Sequence, residues 1–155
     1  PDLRPADFAD LVSLLQESPR WEMATLATPI DETPGLHDPA CVKVVRATDG
    51  RALYFSRAAV PHARDGRPED WLRSEQYALE SPWLLHIGVY AYRREFLLAF
   101  TEWPPSRLEQ LEKLEQLRAL EAGATIQVGI VRDASVGIDT REDYARFVAR
   151  RREAG

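Results

Sequence analysis

Residues 86–92 read His-Ile-Gly-Val-Tyr-Ala-Tyr. Side chains alternate between the two faces of a strand, so this run places Ile87, Val89 and Ala91 on one side and His86, Gly88, Tyr90 and Tyr92 on the other. The first face suits a core. The second gathers an imidazole and two phenols, which donate and accept hydrogen bonds, around a glycine that lets another group approach the backbone. A lone histidine of this kind is either a satisfied structural residue or a ligand contact, and its sharing a face with Tyr90 keeps both readings open.

A second group of candidates lies in a leucine-rich segment. Leucines 108, 111, 114, 117 and 120 recur every third residue. At about 100° per residue they sweep an arc of roughly 240° on a helix, and a helix apolar over so wide an arc is largely buried. Glu115 and Arg118 fall inside that arc, where an unpaired charge is costly. Either the two form an i, i+3 pair, or Glu115 and its neighbour Gln116 point into a polar cleft and bind a hydroxylated ligand. Arg57 directly follows Leu53-Tyr54-Phe55-Ser56. It is either a surface arginine or a ligand group, since α/β folds bind ligands at the carboxyl ends of strands. Asp139, just before Thr140, is either part of a helix N-cap or a metal ligand at the end of the loop 133–137. One carboxylate is too few for Mg²⁺, which is usually held by one or two carboxylates plus substrate phosphates. Cys41 has no histidine signature near it and reads as a small buried residue. No C-x-x-C pair, H-E-x-x-H, glycine-rich phosphate loop or G-x-S-x-G elbow occurs.

The elements that must hold these groups follow from periodicity. Phe8, Leu11, Val12 and Leu15 form the stripe of an amphipathic helix over residues 6–16, between Pro5 and Ser18-Pro19. Residues 23–30 are extended. Residues 42–45 and 53–55 read as two strands around Thr48-Asp49-Gly50, the strongest hairpin signal in the chain. Residues 58–82 are polar, charged and broken by prolines. So long a loop is usually functional or disordered, and a lid or interface segment is expected there. Residues 94–103 form a short helix ended by Pro104-Pro105. Ser106 with Glu109 makes a capping box that opens one longer helix, with Gly123 as its C-terminal cap. Ile126, Val128 and Ile130 alternate as a strand, and Thr140 with Asp143 opens a last helix. Strands and helices interleave, which favours an α/β layer architecture.

The 155 residues carry 25 Asp and Glu against 20 Lys and Arg, a net charge of -5. Phosphate-backbone affinity depends on excess Lys and Arg, so neither nucleic acid nor a membrane surface is expected as a partner. No apolar run is long enough to span a bilayer. The single cysteine asks for no oxidising compartment, which makes the cytoplasm the default location.

Taken together and in order, five segments resemble the CMP-Kdo synthetase family, the 3-deoxy-manno-octulosonate cytidylyltransferases. They are Val42-Lys43-Val44-Val45; Ala52-Leu53-Tyr54-Phe55-Ser56-Arg57-Ala58 with Pro61 and Arg64-Asp65; His86 to Tyr92; Pro105-Ser106 through Leu114-Glu115-Gln116-Leu117-Arg118; and Gly137-Ile138-Asp139-Thr140 with Glu142-Asp143. The resemblance implies an α/β fold like that of nucleotide-diphospho-sugar transferases, a mixed sheet with flanking helices. It implies activation of the eight-carbon acid Kdo by CTP with Mg²⁺, the sugar's anomeric hydroxyl attacking the α-phosphate, as a cytoplasmic step of lipopolysaccharide synthesis. By motif, Arg57, His86, Tyr90, Glu115 and Gln116 line the Kdo pocket, Arg57 meeting the sugar carboxylate with its fork. Asp139 becomes a catalytic Mg²⁺ ligand, and Arg118 a structural partner. A homodimer is expected, with residues 42–92 as the sugar-binding and dimerisation segment of a chain that is, over residues 1–155, the C-terminal part of a cytidylyltransferase domain.

Two departures from the family pattern matter. Ala40 follows Asp38-Pro39 where the family commonly has Asn. The family's nucleotide loop, its S-G-T-[DE]-R segment and its Q-G-D-E-P motif, about a hundred residues or a domain's worth, have no counterpart here, so the isolated chain is expected to be inert. The competing readings are a non-catalytic module that binds a sugar acid or dimerises, and a sister CMP-sugar synthetase.

Overall fold

The computed structural model describes residues 5–30, 33–74, 81–131 and 148. Five strands form one mixed sheet in the order β3-β2-β4-β1-β5, with β1 Met23–Pro29, β2 Lys43–Arg46, β3 Ala52–Ser56, β4 Leu84–Tyr92 and β5 Ile126–Ile130. The β1–β5 pair is parallel, and β1–β4, β2–β3 and β2–β4 are antiparallel. This is the mixed α/β sheet expected. The helices are α1 Pro5–Glu17, α2 Thr33–His37, α3 Pro68–Leu72, α4 Arg94–Thr101, α5 Arg107–Glu112 and α6 Gln116–Glu121.

β1 is the most deeply buried of the described strands. Met23, Ala24, Thr25, Leu26 and Ala27 are all fully buried because both faces of the strand are covered. Met23 and Ala27 face a core with Val44, Phe55, Leu84, Ile126 and Val128, closed by Phe100, Leu114, Leu117 and Ala119 of α4 to α6. Ala24 and Leu26 face a second core with Ile87 and Val131, closed by Leu11 and Leu15 of α1. Gly129 permits that closure, since a β carbon there would lie 2.6 Å from Leu14 Cδ1. The face of α1 differs from the stripe expected. Leu11 and Leu15 are buried, but Phe8 and Val12 are each 52% exposed and Asp7 lies buried in their place. The helix seats itself on the i, i+4 row 7, 11, 15 rather than on the whole apolar arc.

The hairpin forms as predicted, its turn closed by Gly50 N–H donating to the Ala47 carbonyl at 3.0 Å. The segment from Ala58 carries a small core of its own. Ala59, Ala63, Trp71 and Leu72 pack on Ile30, Leu36 and Trp83. Trp83 Nε1 donates to the Pro61 carbonyl at 2.8 Å, and His37 Nε2 lies 2.8 Å from Glu69 Oε1.

The largest correction concerns the helix that Ser106 opens. The capping box is present, with Ser106 and Glu109 bonded reciprocally, but α5 stops at Glu112 because Lys113 adopts left-handed geometry with φ 55°. A new helix starts at Gln116. It ends at a Schellman motif in which Gly123, φ 87°, and Ala124 donate to the carbonyls of Leu120 and Ala119. The break resolves the three-residue leucine repeat: Leu114 and Leu117 turn into the core, and Leu111 is left 79% exposed. The predicted helix from Thr140 lies outside the described residues except for Val148, which is helical.

Candidate functional site

The polar face of β4 keeps the composition read from the sequence. Ile87, Val89 and Ala91 pack under α1, while His86 and Tyr90 stand on the other side with ring centroids 5.3 Å apart. Tyr92 continues the row at 5.8 Å from Tyr90. Phe55 of β3 meets the imidazole edge-on at 5.0 Å. Burial pushes the His86 pKa down to about 4, so its ring is neutral at physiological pH. Burial first, then Tyr92 and the Glu115 carboxylate, hold the Tyr90 hydroxyl above the ordinary phenol range. Tyr92 is raised by burial and by Glu115. Both phenols therefore keep their protons. Gly88 sits in a bulge, since Leu26 pairs with Ile87 and Thr25 with Tyr90. A β carbon on Gly88 would meet nothing within 4 Å, so no described group makes the close approach expected there.

Glu115 stands exposed at the N-cap of α6, and Gln116, its first residue, is buried. With the chain broken at Lys113, the Glu115 carboxylate lies within electrostatic reach of Tyr90 and Tyr92. Glu115 does not pair with Arg118. Arg118 Nε lies 2.9 Å from Glu109 Oε2, Nη2 donates to Oε1 at 3.1 Å, and the guanidinium stacks 4.5 Å from the Phe100 ring centroid. Arg118 is thus the structural residue expected, with a different partner, and the Glu115 carboxylate is left at the surface.

Arg57 is neither a bare surface residue nor an open ligand fork. Nε donates to the Glu112 carbonyl at 2.8 Å, Nη1 to Pro39 at 2.9 Å and Nη2 to Lys113 at 3.3 Å. Of five N–H groups, one on each terminal nitrogen remains. In an unbroken helix the carbonyls of Glu112 and Lys113 would accept from residues 116 and 117. Arg57 takes both, which caps α5 and sustains the break.

Three residues of the site were not singled out by sequence reasoning. The Glu112 carboxylate accepts from Ser56 Oγ at 2.7 Å and from Arg57 N–H at 3.0 Å, locking α5 to the end of β3. Lys43 is fully buried. Its ammonium donates to the carbonyls of Asp38 at 2.9 Å, Arg57 at 2.8 Å and Cys41. Its pKa is lowered chiefly by burial. Cys41 is half-buried rather than buried. At the position where Ala40 departs from the family pattern, its N–H donates to Asp38 Oδ1 at 2.8 Å, so the turn that feeds Lys43 and Arg57 forms without an asparagine. The third residue is Thr25, whose hydroxyl lies 2.9 Å from His86 Nε2. A polar residue inside the run Met-Ala-Thr-Leu-Ala was the only available signal for it.

Asp139 lies outside the described residues. Among the described residues no cluster of His, Cys, Asp and Glu could hold a metal ion. They do not make a Mg²⁺ site by themselves. Nor is any described helix long and apolar enough to cross a membrane.

Residues 1–126 match the cytidylyltransferase family pattern. The chain belongs to the cytidylyltransferase family. This cytidylyltransferase chain is 50% identical to the 3-deoxy-manno-octulosonate cytidylyltransferase of Rhodopirellula baltica, an alignment covering 97% of the chain and 58% of the relative. The enzyme of that name from Xanthomonas oryzae pv. oryzae is 46% identical over 94% of the chain and 55% of the relative. A solved structure of CMP:2-keto-3-deoxy-manno-octonic acid synthetase complexed with CTP superposes with a TM-score of 0.83 at 33% identity, over 99% of this chain and 58% of that one. The cytidylyltransferase chain thus spans between half and two thirds of the length of these relatives.

Proposed function

We propose that this chain forms the sugar-acid side of a 3-deoxy-manno-octulosonate cytidylyltransferase, which transfers CMP from CTP to Kdo and releases pyrophosphate. The observation that carries the reading is the 50% identity to an enzyme of that name across 97% of the chain. The site geometry supports it. Two protonated phenols, a neutral imidazole and the exposed Glu115 carboxylate are the donors and acceptors that a polyhydroxylated ligand requires. The two remaining N–H groups of Arg57 suit a carboxylate. In this reading Arg57 binds the acid group, while His86, Tyr90, Glu115 and Gln116 orient the hydroxyls, so that the anomeric oxygen is held for attack on the α-phosphate. Positioning of this kind supplies much of the rate in such transfers.

Mg²⁺ belongs to the same reading, with Asp139 as a ligand; the Gly137-Ile138-Asp139-Thr140 motif is its support. So do a homodimer formed through residues 42–92, a cytoplasmic location and a place in lipopolysaccharide synthesis. The test is to supply the purified chain with CTP, Kdo and Mg²⁺, follow pyrophosphate, and titrate Kdo by calorimetry. The expected outcome is Kdo binding without turnover, with Glu115→Ala weakening binding about tenfold, the loss of one charge-assisted hydrogen bond. Equal affinities for the two proteins would overturn the pocket assignment. Turnover at an ordinary enzymatic rate would overturn the expected inactivity of the isolated chain.

A second reading is a non-catalytic module that binds a sugar acid or dimerises. Kdo binding with no turnover even when the chain is mixed with a full-length relative's nucleotide-binding half would support it. A mass in sedimentation that stays monomeric at every concentration would remove the dimer.

A further inference from the structure

Thr25 lies fully buried in β1, on the same side of the sheet as His86 and Tyr90. Its hydroxyl oxygen has three polar neighbours: the carbonyls of Val89 at 2.8 Å and Ile87 at 3.2 Å, and His86 Nε2 at 2.9 Å. The two carbonyls flank the β4 bulge, where Gly88 and Val89 have no partner on β1. A hydroxyl owns one proton and two lone pairs. Carbonyls only accept, so that proton goes to them, and an oxygen at 2.8 Å from Val89 with no proton between would be repelled. The remaining contact, to the imidazole, then requires the proton on the imidazole side.

We infer that Thr25 is a positioning residue that locks His86 in the Nε2–H tautomer, so that the pocket presents its ligand with a hydrogen-bond acceptor, Nδ1, rather than a donor or a cation. Nδ1 makes no hydrogen bond among the described residues. The rings packed on His86 are Phe55 from β3 and Tyr90 from β4, and neither carries a charge that would hold an imidazolium. The consequence is an orientation rule that rests on the reading proposed above. A sugar hydroxyl can donate to Nδ1, whereas a carboxylate there would face a lone pair. The acid group is therefore excluded from the His86 side and sent to the remaining N–H groups of Arg57.

The tautomer is measured without any ligand. Long-range ¹H–¹⁵N correlation spectra of the chain, with the His86 signals among its three histidines assigned through His86→Gln, should show a protonated Nε2 and a bare Nδ1 at neutral pH. A proton on Nδ1, or on both nitrogens, would overturn the inference. Thr25→Val keeps the shape and removes the hydroxyl; it should mix the tautomers and weaken Kdo binding about tenfold, the scale of one misdirected hydrogen bond. Thr25→Ser should restore both. An unchanged tautomer in Thr25→Val would remove Thr25 from the role, and if that variant does not fold, the wild-type and Thr25→Ser spectra decide. Failure of wild type to bind Kdo would defeat the proposed function while leaving the spectra as expected; Kdo binding with a proton on Nδ1 would defeat this inference alone.

Discussion

Arg57 caps the helix that ends at Glu112: its Nε donates to the Glu112 carbonyl at 2.8 Å while the Glu112 carboxylate accepts from the Arg57 N–H at 3.0 Å. Fifty-five residues apart in sequence, the two close on each other from both directions. Arg57→Ala removes three hydrogen bonds from a cationic donor and uncaps α5, and should cost about 3 kcal/mol. Arg57→Lys keeps the charge but cannot fork to three carbonyls, and should fall between. Urea unfolding midpoints in the order wild type, Lys, Ala are expected. A lysine variant as stable as wild type would show that charge alone, not the fork, holds the break. Since Arg57 also supports the fold, its loss of ligand affinity is read beside Glu115→Ala, which touches no structural bond described above.

Lys43 poses the opposite problem, a buried cation whose described hydrogen-bond acceptors are carbonyls, with the Asp38 and Glu112 carboxylates acting on it only electrostatically. Lys43→Met fills the space but leaves the carbonyls of Cys41 and Arg57 without the ammonium donor and that of Asp38 with only the Cys41 N–H. A loss of about 3 kcal/mol is expected, because unsatisfied buried acceptors cost more than the average hydrogen bond contributes. The loop at residues 38–41 should loosen first, which hydrogen exchange at the Ala40 and Cys41 amides would register as lost protection. Unchanged exchange there, with stability intact, would mean that water replaces the ammonium.

The sheet, the hairpin, the two faces of β4 and the Ser106 capping box were legible because each rests on a local rule: period 2, a glycine turn, or an i, i+3 box. Legibility failed where a distant group overrode the local one. The leucine repeat favoured one helix, and no residue near Lys113 announces a left-handed turn; Arg57, from β3, takes the freed carbonyls. Of the two readings of Glu115, the i, i+3 pair with Arg118 fails for the same reason, since it assumes a continuous helix. Phe8 and Val12 fit a helical stripe on propensity alone, yet only the row that Gly129 lets approach the sheet is buried. Thr25, Lys43 and Glu112 act through tertiary hydrogen bonds, which leave no periodic trace.

The Arg118 pairing gives a sharp contrast between two glutamates. Glu109 serves both the capping box and the partly buried guanidinium, with side chains 12% and 16% exposed. Glu109→Ala should cost about 3 kcal/mol, the sum of the lost return bond of the capping box and a partly buried guanidinium deprived of its carboxylate, left with the Trp103 carbonyl and the Phe100 ring. Glu115→Ala should change stability by less than about 0.5 kcal/mol, as an exposed residue outside any network does. Thermal and denaturant unfolding of the two variants would reverse this order if Arg118 paired with Glu115 in solution.

His86 makes stability depend on acid in a direction opposite to that of a salt-bridged histidine. Burial lowers its pKa from 6.5 to about 4 in the folded chain. As pH falls through 6.5, the unfolded chain takes up a proton that the folded chain refuses until about pH 4, so the unfolded state binds more protons across that window and stability falls with pH. Below it both states are protonated and the contribution is flat. At 1.36 kcal/mol per unit, the loss between neutral pH and the bottom of the window reaches about 3 kcal/mol. Carboxylates titrate over part of the same range, but they are shared with His86→Gln. Unfolding free energies of both proteins at neutral and acid pH therefore isolate the imidazole, and wild type should lose about 2 to 3 kcal/mol more than the variant. Parallel pH dependence in the two proteins would mean that the ring is solvated or gains a carboxylate partner, and would remove the neutral acceptor from the polar face of β4.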